Sequence, residues 1–69
     1  MPAYPARQIE RSLRAIAKQR AMLEDGQRPV SEIRKPYQMK TRDFKRRIRI
    51  LAKHERLFAQ AMARTMYGV

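Results

Sequence analysis

The sequence predicts an all-α protein, a two-helix antiparallel hairpin with a long proline-containing connector and short flexible termini. Glycine and proline, which most often interrupt helices, are absent from residues 6–25 and 41–67. Gly26, Pro29 and Pro36 all fall between these two stretches. Within each stretch the apolar residues recur at three- and four-residue steps, the period of a helix that buries one face. The 69-residue chain is therefore expected to form one small helical domain.

The first predicted helix, residues 6–25, has one apolar stripe and recognisable ends. Pro5 fits the first turn, where the N–H that proline lacks has no partner within the helix. Gly26 fits a left-handed residue that ends the helix after Glu24 and Asp25. The predicted buried stripe consists of Ile9, Leu13, Ile16, Ala17 and Leu23.

The second predicted helix, residues 41–67, is strongly amphipathic. Thr41 is expected as its N-cap, Asp43 lies in the first turn where the helix dipole favours an acid, and Gly68 is expected to stop it. One face is apolar and is expected to pack on the first helix. Its members are Phe44, Ile48, Leu51, Phe58, Met62 and Met66, flanked by Ile50, Leu57 and Ala61.

The predicted connector, residues 26–40, is longer than most links between helices, which run two to eight residues. A connector of this length tends to be either functional or disordered. Ser31 and Glu32 could start a single helical turn that ends before Pro36. The residues around that turn are therefore candidates for contact with a partner.

Basic charge is concentrated on the second helix. Of the formal net charge of +11, six units fall in residues 41–69, and Arg supplies twelve of the seventeen basic residues. Arg grips phosphate or carboxylate oxygens in pairs, whereas a solvated helix face normally mixes Lys with Glu. The cations opposite the apolar face are Arg42, Lys45, Arg46, Arg49, Lys53, Arg56 and Arg64.

From this pattern we expect a noncatalytic, Arg-rich nucleic-acid-binding protein that docks on structured RNA within a larger ribonucleoprotein by clamping phosphates. RNA is favoured over DNA because no helix-turn-helix, zinc-finger or basic-zipper pattern is present. Arg34 and Lys35 would extend the contact from the connector. Tyr37, ahead of Tyr4 and Tyr67, would stack on unpaired bases, with packing of these tyrosines against the helices as the alternative.

A second hypothesis is a small protein-interaction module, such as a viral modulator or accessory subunit, that binds an acidic groove of a nucleic-acid-handling assembly. Arg20 and Glu55 interrupt the apolar stripes, and Arg47 lies close to them. Simple antiparallel pairing places Arg20 nearer Arg47, and Glu55 nearer Arg11, so a direct Arg20–Glu55 ion pair is not expected. Unpaired charges at such positions would mark the rim of a partner interface.

Other functions have little support in the sequence. The chain has no Cys and a single His54, so no metal site and no cofactor is predicted. No nucleophile motif or glycine-rich phosphate loop is present, and an enzyme is not expected. No apolar run could cross a membrane and no secretory signal is visible, so a cytoplasmic, nuclear or viral location is expected, with membrane binding disfavoured. A homo-oligomer stays open, because two copies of an apolar stripe could dimerise.

Overall fold

The computed structural model describes residues 5–66, which form two antiparallel helices joined by an ordered connector. Helix α1 is Pro5–Met22, helix α2 is Thr41–Met66, and a short 3-10 helix occupies Val30–Glu32 in the connector. The helices lie side by side in a molecule of 45 × 19 × 16 Å. The predicted all-α hairpin is confirmed.

Two expectations concern residues outside the described part of the chain. They are the extension of the second helix to residue 67 with its stop at Gly68, and the flexibility of the termini.

Helix α1 ends three residues before the predicted boundary, and Glu24, not Gly26, is its left-handed residue. Glu24 has a φ of 55°. Its N–H donates to the Ala21 carbonyl at 3.1 Å, and the Asp25 N–H donates to the Arg20 carbonyl at 3.0 Å. These two bonds form a Schellman motif, which satisfies carbonyls at the helix end that would otherwise lack partners.

The first turn of the connector is held by the Asp25 carboxylate. Its Oδ1 accepts hydrogen bonds from the backbone N–H groups of Arg28, at 3.0 Å, and Gln27, at 3.1 Å. These bonds lower the pKa of the Asp25 carboxyl below its ordinary value. Because the folded-state pKa is lowered, this contribution to stability is present at neutral pH and is lost as the pH falls through that pKa.

The rest of the connector carries one side chain into the core. The short 3-10 helix matches the predicted single turn, and the chain becomes extended at Ile33, which is buried. A second turn follows, in which the Met39 N–H donates to the Pro36 carbonyl at 3.1 Å. The Lys35 ammonium donates to the Met39 carbonyl at 2.7 Å, which braces that turn.

Helix α2 begins at Thr41, the predicted bound, but the expectation that Thr41 is its N-cap is wrong. The Phe44 N–H donates to the Lys40 carbonyl at 2.9 Å, which gives Lys40 the N-cap position and makes Thr41 the first helical residue. Asp43 lies in the first turn and Arg64 in the last, as the helix dipole favours.

The core lies at the connector end of the hairpin. Leu23, Ile33 and Leu51 are 1%, 7% and 0% exposed, and they bring together the end of α1, the connector and α2. Farther from the connector, the buried residues are small: Ser12 is fully buried and Ala61 is 5% exposed. The core therefore holds large side chains near the connector and small ones where the helices continue past it. The partly buried side chains packed on the large cluster are Ile16, Val30, Met39, Phe44 and Ile48.

The buried face of α1 differs from its predicted stripe. Ser12 and Gln19 are buried, whereas Leu13 is 48% exposed and Ala17 is exposed. The Ser12 hydroxyl accepts a hydrogen bond from Gln8 at 3.2 Å, so its burial leaves no unpaired oxygen. On α2, the predicted core residue Met66 is 74% exposed.

We expect Leu51→Ala to lower the free energy of unfolding by about 2–5 kcal/mol, because it removes a fully buried side chain from the point where three segments meet. Leu13→Ala is the matched control, with an expected loss under about 1 kcal/mol at a half-exposed site. Urea unfolding followed by circular dichroism measures both. Equal losses for the two variants would contradict this description of the core.

Glu24→Gly should raise the free energy of unfolding by roughly 0.5–1 kcal/mol, since glycine adopts a left-handed conformation without steric cost. Glu24→Gln is the control, because it removes only the negative charge from the negative end of the α1 dipole. Thermal melts should rank glycine above glutamine and glutamine above the parent. A glycine variant no more stable than the glutamine variant would contradict the assigned strain.

Candidate nucleic-acid interface

Seven basic residues of α2 form what we call the outer basic row. Arg49 and Lys53 each lie two positions from the buried Leu51, which places them about 200° around the helix from it. Every member is exposed, and the row supplies about one cation per helical turn along most of α2. The row consists of Arg42, Lys45, Arg46, Arg49, Lys53, Arg56 and Arg64.

No member of the outer basic row has an acidic partner within residues 5–66. The ion pairs in this part of the chain are Arg20–Glu55, Arg28–Asp25 and Arg47–Asp43. A solvated helix face is normally stabilised by pairs of opposite charge three or four residues apart. The outer basic row lacks them and concentrates unneutralised charge on one side of the hairpin.

A second basic row lies on α1, and the sequence analysis does not predict it. Arg7, Arg11, Arg14 and Lys18 are all exposed and form no ion pair among the described residues. Their spacing of four, three and four residues places them on one helix face. This spacing is visible in the sequence, but the low net charge of the first segment concealed it. We call these four residues the α1 basic row.

Arg20 and Glu55 form a direct ion pair, so the expectation that they do not meet is wrong. Arg20 Nη2 lies 2.6 Å from Glu55 Oε2, with the two side chains 15% and 34% exposed. Side chains tilt toward the N-terminus of their own helix. Arg20 on α1 therefore leans away from the connector and Glu55 on α2 leans toward it, so the two side chains converge. Simple residue-by-residue pairing ignored this convergence and the length of both side chains.

Arg20 also fixes the connector. Its Nη1 donates to the carbonyls of Arg28, at 2.8 Å, and Asp25, at 3.3 Å. One guanidinium therefore links the end of α1, the first turn of the connector and the middle of α2. Arg20 and Glu55 act within the hairpin and are not unpaired charges on a rim.

Arg47 is also engaged inside the molecule. It donates through Nε to Asp43 and through Nη1 to the buried Gln19, both at 3.2 Å, and its side chain is 22% exposed. The bond to Gln19 gives a buried amide a partner on the opposite helix. Two arginines thus support the fold from mostly buried positions, Arg20 and Arg47, whereas Arg28 pairs with Asp25 at 3.8 Å with its side chain 56% exposed.

The connector presents its candidate residues on an open groove. Tyr37 is 96% exposed, which excludes the alternative that this ring packs on the helices. Arg34 is exposed and lines the same groove, together with Arg28 and Tyr37, in a space of about 910 Å³. Lys35 is exposed but its ammonium is bonded to the Met39 carbonyl. Arg34 and Tyr37 thus line one groove, which Glu24 and Asp25 also line, and Lys35 has a role in the turn.

Several further features complete the description of the chain. Tyr4 and Tyr67, the other stacking candidates, lie outside residues 5–66. His54 is half-buried, and its Nδ1 is buried without a hydrogen-bond partner. Over the described residues, no three His, Asp or Glu side chains are grouped so that they could hold a metal ion. Neither of the two helices has the length and hydropathy needed to cross a lipid bilayer.

Comparison of the chain with protein-family models, curated protein sequences and solved structures finds no match.

Arg20→Ala should lower the free energy of unfolding by roughly 2–3 kcal/mol, because it removes a charged bond and leaves two carbonyls without their donor. Glu55→Gln should lower the free energy of unfolding by less, since Arg20 keeps its two carbonyl partners. The double variant tests their coupling, expected at about 1 kcal/mol. Denaturant unfolding measures all three variants.

The control for this cycle is Arg49→Ala, which removes an exposed arginine without an ion-pair partner in the described chain. Its expected effect lies within about 0.5 kcal/mol of zero. If Arg20→Ala were as mild as Arg49→Ala, the link between the connector and α2 would not contribute to stability.

Proposed function

We propose that this protein is a noncatalytic RNA-binding hairpin that docks on structured RNA, as part of a larger ribonucleoprotein, by clamping phosphates with the outer basic row. The observation that carries the proposal is a row of seven exposed cations with no acidic partner in the described chain. Phosphate oxygens are the natural counterpart of such a row, because each contact releases a condensed counterion.

The distribution of arginine supports a surface made for contact. Five of the seven row residues are Arg, whose planar fork binds phosphate oxygens in pairs. Arg20 and Arg47, the inner arginines, are already bonded to protein oxygens. The hairpin thus uses some arginines to hold its own helices and keeps the row available for a partner.

RNA is favoured over DNA by the connector. Tyr37 is almost fully exposed beside Arg34, and an exposed ring next to a cation suits an unpaired base and its phosphate. Unpaired bases are common in the loops and bulges of folded RNA. In this proposal the row grips the backbone and Tyr37 stacks on a base at the connector end.

The row predicts a steep dependence of binding on salt. Six or more phosphate contacts should lower affinity about a thousandfold between roughly 50 and 200 mM salt. The triple variant Arg46→Glu, Arg49→Glu and Arg56→Glu should reduce the slope of log K against log salt by about 3. Affinity near 100 mM salt should fall by a hundredfold or more, given a slope of about 0.9 per contact. Fluorescence anisotropy with a labelled RNA stem-loop measures both quantities.

The matched control changes the same three positions to Lys. It preserves the charge but not the paired donors of Arg, so it should keep the salt slope and lose only a little affinity. Circular dichroism should give the parent's helical content for both variants, because these side chains are exposed and have no ion-pair partner in the described chain. Binding that survives the Glu variant, or that ignores salt, would refute the proposal.

A second candidate is a protein-interaction module that binds an acidic groove of a nucleic-acid-handling assembly. One observation favours it: beside Arg20, a shallow apolar groove of about 560 Å³ is lined by residues that include Leu13 and Ala17. A protein partner could cover this groove and also bind cations. Affinity purification after nuclease treatment separates the candidates, because a stoichiometric protein supports this one and loss of all bound macromolecules supports RNA.

A further inference from the structure

The α1 basic row is the strongest feature that the proposed function does not use. On α1, Arg11 and Lys18 lie one position from the buried residues Ser12 and Gln19, and Arg14 lies two positions from Ser12. The row therefore lies about 100–200° around the helix from the side that packs on α2. All four of its cations are exposed.

The two basic rows face away from each other. Each lies about 100–200° around its helix from the residues that pack between the helices, and the molecule has a cross-section of 19 × 16 Å. That cross-section is about twice the Debye length, which is about 8–10 Å at physiological ionic strength. Phosphates bound along one row therefore leave the other row largely unneutralised.

We propose that the hairpin bridges two nucleic-acid segments, with the outer basic row on one and the α1 basic row on the other. The inference rests on the proposed function and adds a second phosphate-binding surface to it. A single straight duplex cannot reach both rows, because they point in opposite directions. Two neighbouring helices of a folded RNA could enclose the hairpin and neutralise both edges.

A bead-capture assay tests the bridge. One short RNA duplex is immobilised, a second, fluorescent duplex is supplied free, and the protein is kept below the concentration of immobilised duplex. The parent protein should capture the free duplex, and native mass spectrometry should show complexes of one protein with two duplexes. The amount of captured duplex should fall at least tenfold between roughly 50 and 200 mM salt, since both contacts are electrostatic.

Two charge-reversed variants serve as each other's controls. One carries Arg7→Glu, Arg11→Glu and Arg14→Glu, and the other carries the three substitutions of the outer basic row described above. Each lowers the formal charge of +11 by the same six units, so a difference between them cannot come from net charge. Both should lose capture by about tenfold or more, while the α1 variant keeps most of its affinity for one duplex.

The outcomes separate this inference from the proposed function. A parent protein that binds no duplex or stem-loop would overturn the proposed function and the bridge with it. Tight binding of one duplex without capture of the second would overturn the bridge alone. So would capture that survives reversal of the α1 basic row, or bridged complexes that contain two copies of the protein.

Discussion

The hairpin depends on the contact among Leu23, Ile33 and Leu51, because this contact makes the connector part of the core. Two helices alone would bury one narrow seam, and repulsion within a chain of net charge +11 opposes compact folding. Ile33 adds a side chain from a third segment to this core. The chain is extended at Ile33, directly after the 3-10 helix, and this conformation directs the side chain inward. The long connector is thus a structural element, and its order follows from burial.

Polar contacts reinforce the same end of the molecule. The Arg20 guanidinium bonds to the connector carbonyls of Asp25 and Arg28 and to the Glu55 carboxylate. These acceptors lie in segments that the apolar cluster also brings together. Beyond this region the buried positions are Ser12 and Ala61, whose small side chains allow close approach of the helices but bury little surface. The large, fully buried side chains are therefore concentrated near the connector, whereas the large apolar side chains of the far end, such as Ile9 and Phe58, are only half-buried.

The sequence is sufficient to predict the two helices and the exposed cations of the outer basic row. Each depends only on how apolar and charged residues recur along one helix. The sequence is insufficient where two segments meet. The α1 stripe was placed on Leu13 and Ala17 because hydrophobicity was the criterion, whereas the hairpin buries Ser12 and Gln19, whose polar groups find partners only after folding. The α1 basic row was overlooked because the charge was averaged over a segment that also contains acids. The assignment of each of these residues to a nucleic-acid interface stays a prediction.

Angular position around the helices decides what each cation can do. Arg20 and Arg47 point toward the opposite helix, where protein oxygens bind them, so their charge is balanced within the hairpin. The two basic rows point outward and form no ion pair in the described chain, so like charges there repel one another along each helix. This repulsion opposes compact folding in the free protein, and phosphates bound as proposed would reduce it. In the proposed complex, binding and folding would therefore be coupled through the same residues, and RNA on both sides would stabilise the end of the hairpin far from the connector.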